Sequence, residues 1–247
     1  MMARAGIGLS VEGTHAVKAA LDAGRVIALT VESGRAENPL VASIVAVAKA
    51  SGVSVEYVDD VRPIAETTAP QGVVASATPL PTFTLKDLIG RGSPPAVIVL
   101  DRVEDPRNLG AIARSALAAG VGGLVIAERR AAPLSGAAFK AAAGALEYLP
   151  VAVVGSIAGA VRDLRRLGLW AVGLDETAEK PLLGLGLLSE PVAVVLGAEG
   201  RGLSRLVRDR VDVLVGIPTS ATMPSLNVSA AGTLAVFEIS RARGGIT

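Results

Sequence analysis

The sequence has little of the side chains that most often form metal and nucleophilic centres. It has no cysteine, and His15 is its single histidine. Without thiols a chain has no disulfide framework, no thiolate nucleophile and no cysteine zinc site, and one histidine cannot build a histidine metal cluster. We therefore expect no metal centre. Proton transfer in any reaction would fall to carboxylates, Lys, Arg, Ser or water, unless the reaction uses His15.

Aromatic residues and long apolar runs are also scarce. Aromatic side chains make up 2% of the chain, which argues against the stacking platforms of single-strand-binding proteins. No apolar run approaches the roughly 20 residues of a membrane-spanning helix, and residues 1–10 do not resemble a signal peptide. We expect a soluble, cytoplasmic protein without a membrane segment. Because the net charge is only +1, any phosphate-binding surface should be local rather than global.

The composition that remains is that of a globular protein, with 51% hydrophobic and 19% charged residues in a chain of 247. In the amino-terminal part, capping residues and hydrophobic periodicity predict alternating helices and strands. The predicted elements are a helix over 13–24, a strand over 26–33, a helix that begins at Asn38 with Pro39 in its first position, a strand over 53–59 and a strand over 71–78.

A change of composition divides the chain. The segment Pro79–Pro95 holds four prolines and two glycines among polar residues, which is typical of a linker. We therefore predict one domain over residues 1–79, a linker over 80–94 and a second domain over 95–247. The linker predicts two bodies that fold separately.

Short and almost entirely apolar runs follow the linker, and helix-like segments separate most of them. The runs are 96–101, 122–128, 150–154, 169–175, 191–197 and 211–218. Strands that are apolar on both faces and alternate with helices predict a parallel sheet covered on both sides. Ligands bind beyond the carboxyl ends of such strands, so the loops after these runs are the candidate site.

The first candidate loop is Arg102–Val121. Asp105-Pro106 predicts a turn, and Asn108 is a good helix N-cap. The helix has an apolar stripe at helical spacing, and Arg114 lies about 200° from Ile112, away from that stripe. The alternative is an ordinary cap and a solvated surface arginine. The stripe consists of Leu109, Ile112, Ala116 and Ala119.

Two further loops carry polar groups. Gly197–Ser204 has glycines at 197, 200 and 202, a spacing that matches neither the dinucleotide fingerprint nor the P-loop. Glu199 within it is either a functional carboxylate or a helix-start acid. In Thr219–Arg241, Asn227 can cap a helix that continues through Glu238, and Gly232 predicts close packing.

Together these loops resemble the three motifs of the SpoU (TrmH-like) RNA 2′-O-ribose methyltransferases of the SPOUT superfamily. The motifs read DPRNLGAIARSALAAGV, VLGAEGRGLS and IPTSATMPSLNVSAAG. The segments GTHAVKAAL and PQGVVA resemble the L30e-like RNA-binding domain of the RlmB-like subgroup, the 23S rRNA (guanosine-2′-O-)-methyltransferases.

The resemblance implies a small L30e-like α/β domain followed by a SPOUT α/β domain with a parallel sheet and a C-terminal trefoil knot. It further implies a homodimer that methylates RNA, with 23S rRNA as the expected substrate. S-adenosylmethionine is the implied cofactor, held in the knot mainly by backbone groups at Gly197, Ile217 and Leu226. The family's catalytic positions correspond here to Arg114, Asn108, Glu199, Ser225 and Asn227.

In the family the matching arginine is proposed to activate the 2′-hydroxyl. Because a guanidinium is ordinarily always protonated, Arg114 can instead bind phosphate and stabilise negative charge. Asn108 and Asn227 are expected to orient the arginine, ribose or cofactor, Glu199 to fix the cofactor loop or a basic partner, and Ser225 to hydrogen-bond substrate or protein. The first domain is expected to select the RNA, and its first candidates for contact are His15, Arg25, Arg35 and Gln71.

Several other functions stay open at this point. Within the methyltransferases, the substrate can be a tRNA or the ribosomal nucleotide of the antibiotic-resistance branch. A non-catalytic rRNA-binding assembly factor is a rival, although all five polar motif positions are present. A nucleotide-dependent oxidoreductase on a Rossmann sheet is disfavoured by the glycine spacing.

Overall fold

A computed structural model describes residues 7–91, 94–220, 222–223 and 225–245. These residues form two α/β parts, each built around its own sheet. A four-stranded mixed sheet lies in the first part, and a six-stranded parallel sheet lies in the second. The candidate site is formed by loops that follow strands of the second sheet.

The first part contains the α-helices and strands that the sequence predicts, with one additional strand and two short 3-10 helices. Its strand order is β1-β4-β2-β3, in which β2 and β3 are parallel and the other pairs are antiparallel. Asn38 caps α2 by accepting from the Leu40 amide at 3.0 Å. The additional strand is β1, whose three residues are too few for periodicity to detect. The elements are β1 (Ser10–Glu12), α1 (Thr14–Asp22), β2 (Val26–Glu32), α2 (Pro39–Ala50), β3 (Ser54–Val58) and β4 (Val73–Ala77).

The predicted linker contains a short helix, α3 (Leu85–Ile89). Thr84 and Asp87 form a capping box at its start, in which each side chain accepts from the other residue's backbone amide. Leu88 of this helix is fully buried. The segment is therefore packed against the second part and is not an extended spacer.

The second part has the strand order β10-β8-β9-β5-β6-β7, and all its strands are parallel. Each of the six apolar runs contains one of these strands. The helix α4 packs against α5 and α8. The elements are β5 (Ala96–Asp101), α4 (Pro106–Ala118), β6 (Gly123–Ala127), α5 (Gly136–Ala142), β7 (Val151–Val154), α6 (Ile157–Arg166), β8 (Trp170–Leu174), β9 (Val192–Gly197), α7 (Arg205–Arg208), β10 (Val213–Val215) and α8 (Val228–Ala242).

Two packing predictions for the helices are confirmed. All four residues of the predicted stripe on α4 are buried. A Cβ atom at Gly232 would lie 2.9 Å from the Leu196 side chain and 3.1 Å from that of Ile112. Glycine at this position thus lets α8 approach both β9 and α4. Within the described ranges, no helix is long and apolar enough to cross a membrane.

The two parts share one hydrophobic core, which differs from the expectation of separately folding bodies. The larger buried cluster joins residues of α1 and β2 to residues of α4 and α5. At the contact, Glu66 accepts a hydrogen bond from the Gly136 amide at 2.5 Å, and Lys140 donates to the Ala69 carbonyl. Composition marks the boundary between the sheets, but it carries no information on contacts made across that boundary.

Candidate cofactor and catalytic site

A cavity of about 460 Å³ lies at the carboxyl ends of β8 and β9. Six of the eight residues singled out from the sequence line it, and they come from loops that are distant along the chain. The other side chains of the lining are both apolar and polar: they include Leu174, Leu196, Val228 and Ala231, and also Asp175, Glu176, Thr177, Arg201, Arg208 and Thr219. The six residues are Gly197, Glu199, Ile217, Ser225, Leu226 and Asn227.

The loop after β9 forms one wall of the cavity. A Cβ atom at Gly197 would lie 2.2 Å from the carbonyl carbon of Gly202, so no other residue fits without moving the backbone. Gly200 and Gly202 have φ angles of +69° and +58°, in the left-handed region that favours glycine. These requirements explain the glycine pattern that matches no phosphate-binding fingerprint.

Asp101 binds this loop through a hydrogen bond. It was not identified as a site residue from the sequence. It is 3% exposed at the end of β5, where it pairs in register with Gly197, and its carboxylate accepts from the Ser204 amide at 2.6 Å. The sequence did contain an indication of this role, because Asp101 is the one charged residue in the otherwise apolar strand β5. Buried carboxylates need hydrogen-bond partners, and the Ser204 amide supplies one.

The three motifs meet in a hydrogen-bonded cluster of Asn108, Glu199 and Asn227. Glu199 Oε1 accepts from Asn108 Nδ2 at 3.1 Å, from Asn227 Nδ2, and from the Val228 amide at 3.4 Å. Asn227 Nδ2 also donates to Asn108 Oδ1 at 3.2 Å. Asn108 is 8% exposed. The carboxylate therefore ties the glycine loop to the amino ends of both α4 and α8.

For these residues one expectation is corrected, one alternative is excluded and one expectation is confirmed. The N-cap of α4 is Asp105, which accepts from the Arg107 amide at 2.8 Å, so Asn108 lies in the first turn and is free to bind Glu199. Glu199 does not begin a helix, because α7 starts at Arg205. Asn227 is the N-cap of α8 and accepts from the Ser229 amide at 2.8 Å.

Arg114 lies outside the cavity. It is exposed on α4, on the side away from the core. Within the described residues its guanidinium has no hydrogen bond or ion pair. It is six residues beyond Asn108, or about 9 Å along the helix axis, and helical side chains lean toward the amino end. At roughly 100° per residue, Arg114 lies about 240° around the helix from Asn108, so the two side chains are on different faces of α4, the one exposed and the other buried.

The opposite wall of the cavity contains an ion pair that the sequence did not indicate. Arg208 of α7 contacts Asp175, which directly follows β8, and Asp175 accepts from the Thr177 amide at 2.9 Å. The Asp175 side chain is 6% exposed. In the sequence, the only indication of this ion pair was the position of Asp175 at the end of an apolar run.

Comparison with known families identifies these three loops. The model of the SpoU rRNA methylase family matches residues 95–237. The chain belongs to this family. A second model, described as RNA 2′-O ribose methyltransferase substrate binding, matches residues 10–83. The two matches fall on the two sheets.

Individual relatives agree with the family. The 23S rRNA (guanosine-2′-O-)-methyltransferase RlmB of Shewanella oneidensis is 38% identical over 240 residues, which are 94% of this chain and 96% of that protein. An uncharacterized tRNA/rRNA methyltransferase of Synechocystis sp. is 37% identical over 239 residues, and this chain spans 62% of its length.

Among solved structures, the fold is similar to the SpoU methyltransferase AviRb from Streptomyces viridochromogenes in complex with the cofactor AdoMet. The TM-score is 0.78 at 26% identity, and the match covers 95% of this chain and 90% of that chain. The similarity therefore extends over both α/β parts.

Proposed function

We propose that this SpoU-family protein, an S-adenosylmethionine-dependent RNA 2′-O-ribose methyltransferase, methylates a guanosine of 23S rRNA. The observation that carries the proposal is the hydrogen-bonded cluster of Asn108, Glu199 and Asn227, which joins the first motif to the two motif loops that line the cavity. The relatives described as 23S rRNA guanosine methyltransferases support the choice of RNA.

The residues of the cavity fit S-adenosylmethionine. About 460 Å³ lies within the range of about 300–1,000 Å³ of small-molecule sites. Leu196, Ile217 and Leu226 offer apolar surface for a purine, and the backbone of the loop at Gly197 offers hydrogen-bonding groups. When bound, the cofactor supplies an electrophilic methyl group. Glu199 lines the cavity, and its carboxylate would attract the positive charge of a bound sulfonium.

The position of Arg114 suits the second substrate, the RNA. Its guanidinium is exposed and has no partner among the described residues, and a planar fork of this kind can bind a phosphate in a bidentate manner. In that position it would orient the ribose and stabilise negative charge on the 2′-oxygen, while a phosphate or water takes the proton. Ser225, which is exposed at the cavity mouth, would hydrogen-bond the substrate.

The cluster itself is proposed to have a positioning role. Asn108 and Asn227 both donate to Glu199, so the carboxylate holds the cofactor loop at a fixed distance from the two helix ends. Positioning of two bound reactants can supply about 7–11 kcal/mol of a barrier in the best cases. Within the described residues, neither asparagine forms a hydrogen bond with Arg114.

Residues 1–79 are proposed to select the RNA, and residues 95–247 to carry the chemistry. His15 and Arg35 are exposed and stay candidates for RNA contact. Arg25 is buried against Glu147, and Gln71 accepts from the Thr14 amide at 3.0 Å, so both have structural partners instead. Because residues 1–88 carry 7 basic and 9 acidic side chains, recognition should use a local patch and RNA shape.

We also propose that the protein acts in the cytoplasm as a homodimer formed through its carboxy-terminal domain. Leu234 and Phe237 of α8 are 42% and 45% exposed, and Leu117 of the neighbouring α4 is 37% exposed. Exposed large apolar side chains on adjacent helices are typical of a surface that another chain covers. The trefoil knot stays a prediction from the family.

Methyl transfer to purified RNA tests the proposal. The protein is incubated with methyl-labelled S-adenosylmethionine and unmodified 23S rRNA, 16S rRNA or tRNA, and the RNA is then digested to nucleosides. We expect 2′-O-methylguanosine from 23S rRNA alone. Labelled tRNA would support the tRNA alternative, and binding of NAD without S-adenosylmethionine would overturn the methyltransferase assignment.

A further inference from the structure

A buried ion pair joins the two parts of the molecule. The guanidinium of Arg25 binds the Glu147 carboxylate with both ends, Nε to Oε2 at 2.6 Å and Nη2 to Oε1 at 2.7 Å. The Glu147 side chain is fully buried and that of Arg25 is 8% exposed. Among the described residues it is the one ion pair between the two parts.

The remaining donors of Arg25 are bound within the first part. Nη1 donates to the Gly8 carbonyl at 3.1 Å and to the Thr78 carbonyl. The Thr78 amide in turn donates to the Arg25 carbonyl at 2.8 Å. The guanidinium also lies 5.8 Å from the ring centre of Phe139 in α5. Arg25 lies just before β2, and its hydrogen bonds to Gly8 and Thr78 fix its side chain within the first part. Its other two side-chain nitrogens bind Glu147 of the second part.

The rest of the contact is largely apolar, with two further hydrogen bonds, from the Gly136 amide to Glu66 and from Lys140 to the Ala69 carbonyl. The helix α1 packs against α5 and against the 3-10 turn over Ala145–Glu147. The buried residues of these two helices include five alanines, namely Ala16, Ala19, Ala20, Ala138 and Ala142. Apolar surfaces of this kind give non-directional attraction, and the two further hydrogen bonds each join a single donor to a single acceptor. A bidentate pair accepts only one geometry.

Buried ion pairs contribute little net stability, because removing two charges from water costs about as much as their attraction returns. Their best-attested contribution is to select one arrangement over others. The Arg25–Glu147 pair has the features of an ion pair that selects one arrangement, since it is bidentate, almost wholly buried and located between the two parts.

We propose that Arg25 and Glu147 are a positioning pair that fixes the first part in one orientation on the second. The distance from the RNA-selecting surface to the cavity would then be constant, and it would decide which nucleotide is methylated. The proposal rests on the function proposed above, which makes residues 1–79 the RNA-selecting part. It goes beyond that function by naming the residues that couple recognition to chemistry.

The absence of cysteine allows a direct test in the full chain. Ala46→Cys in α2 and Arg166→Cys in α6 place one spin label on an exposed site of each part. Distance distributions between the labels are measured with Arg25 and Glu147 intact, with Arg25→Met, and with the double change Arg25→Met, Glu147→Leu. Arg62→Met is the matched control, because Arg62 is exposed and pairs with Asp60 inside the first part.

We expect one narrow distance in the chain with the pair intact and in the control, and a broad distribution in both pair variants. The double variant should stay folded, because it leaves no buried charge unpaired, and its melting temperature should fall only slightly, because the Gly8 and Thr78 carbonyls lose their donor. Its affinity for S-adenosylmethionine should be unchanged. Its kcat/KM on 23S rRNA should fall about a hundredfold, which is the loss that misplacement by about 1 Å can cause. The methyl groups that it still transfers should be spread over neighbouring nucleotides.

A narrow distance in the double variant would overturn the proposal, as would full methylation of a single nucleotide despite a broad distance. The single variant Arg25→Lys should recover part of the site selectivity, because one ammonium hydrogen bond replaces two. If the intact chain methylates no rRNA, the proposed function fails, and the label distances still decide whether the pair fixes the orientation.

Discussion

The polar residues of the site divide into two groups by their surroundings. Asn108, Glu199 and Asn227 bind one another at the cavity wall, whereas Arg114 is exposed and unpaired among the described residues. A group whose hydrogen bonds are satisfied within the protein is suited to positioning. A cation without a partner is suited to binding an anionic substrate. The two groups therefore predict different kinetic effects on substitution.

Replacing Arg114 with alanine should abolish methyl transfer and leave affinity for S-adenosylmethionine nearly intact, because the residue lies outside the cavity. Arg114→Lys should fail as well, since a point charge does not reproduce the planar fork. Arg107→Ala is a suitable control on the same exposed side of α4. The measurements are turnover with 23S rRNA and isothermal titration of the cofactor. Substantial turnover by Arg114→Ala would remove this residue from the mechanism.

Glu199→Ala and Asn227→Ala should weaken cofactor binding, catalysis or both. The loss should exceed the roughly 1 kcal/mol of a helix cap, because each change also leaves a buried partner of the cluster unsatisfied. Asn38→Ala removes only the cap of α2 and serves as the control. Melting temperatures and cofactor affinities distinguish the outcomes. Normal activity with a slightly lower melting temperature would mean that Glu199 and Asn227 are merely structural.

At the scale of single residues, the sequence predicted that Asn108, Glu199 and Asn227 belong to one site, but it did not predict the hydrogen bonds between them. Asn108 was expected to cap α4, yet Asp105 has that role, and the two positions cannot be distinguished by residue type alone. Arg25 was a candidate for RNA contact and is buried against Glu147. Its partner lies 122 positions away, and no local pattern encodes a pairing at that separation.

At the scale of secondary structure, the prediction succeeded where hydrophobic runs were long. All six apolar runs contain strands of one parallel sheet. Two of the short elements that were missed are β1, which has three residues, and α3, which has five, or less than two helical turns. Their positions depend on tertiary contacts, such as the burial of Leu88, and not on periodicity.

The helix α8 is joined to the preceding part of the chain by Glu238. This carboxylate accepts from the Gly184 amide at 2.6 Å and from Arg241 Nη2 at 2.8 Å. The hydrogen bonds from Arg241 and then Gly184 hold the pKa of Glu238 below its ordinary 4.5, against the opposing effect of burial. Because the folded pKa is lowered, the stabilisation is fully present above about pH 4.5 and is lost as the pH falls through the folded pKa.

Glu238→Gln should therefore lower the free energy of unfolding at neutral pH. The difference from the unsubstituted chain should shrink as the pH is lowered below 4.5. Glu56→Gln is the control, since Glu56 is exposed on β3. Urea unfolding at a series of pH values measures the effect. A difference that stays constant from pH 7 to well below 4.5 would show that ionisation of Glu238 does not contribute.

At the scale of the whole molecule, the two sheets could be predicted but their contact could not. The composition of Pro79–Pro95 indicated a boundary, and the sheets lie on either side of it. The shared core and the Arg25–Glu147 pair arise from surfaces that meet only after both parts have folded. A contact between two copies of the chain likewise cannot be predicted from local sequence patterns. The exposed apolar side chains of α8 are the structural feature that supports the proposed dimer.

We expect a homodimer at micromolar concentration, measured by light scattering. Phe237→Glu should shift the protein toward the monomer, because a charge would replace an apolar side chain at the proposed interface. Leu206→Glu is the control, since Leu206 is exposed on α7 rather than on α8. A monomer mass for the unsubstituted chain, or a dimer unaffected by Phe237→Glu, would contradict this interface.

The central claim is that the three motif loops form a site that methylates one guanosine ribose of 23S rRNA. Mass-spectrometric mapping of 2′-O-methyl groups tests it most directly, with 23S rRNA from cells that have the gene, lack it, or carry the Arg114→Ala form. We predict one 2′-O-methylguanosine that is present in the first case and absent in the other two. An identical methylation map in all three would contradict the account.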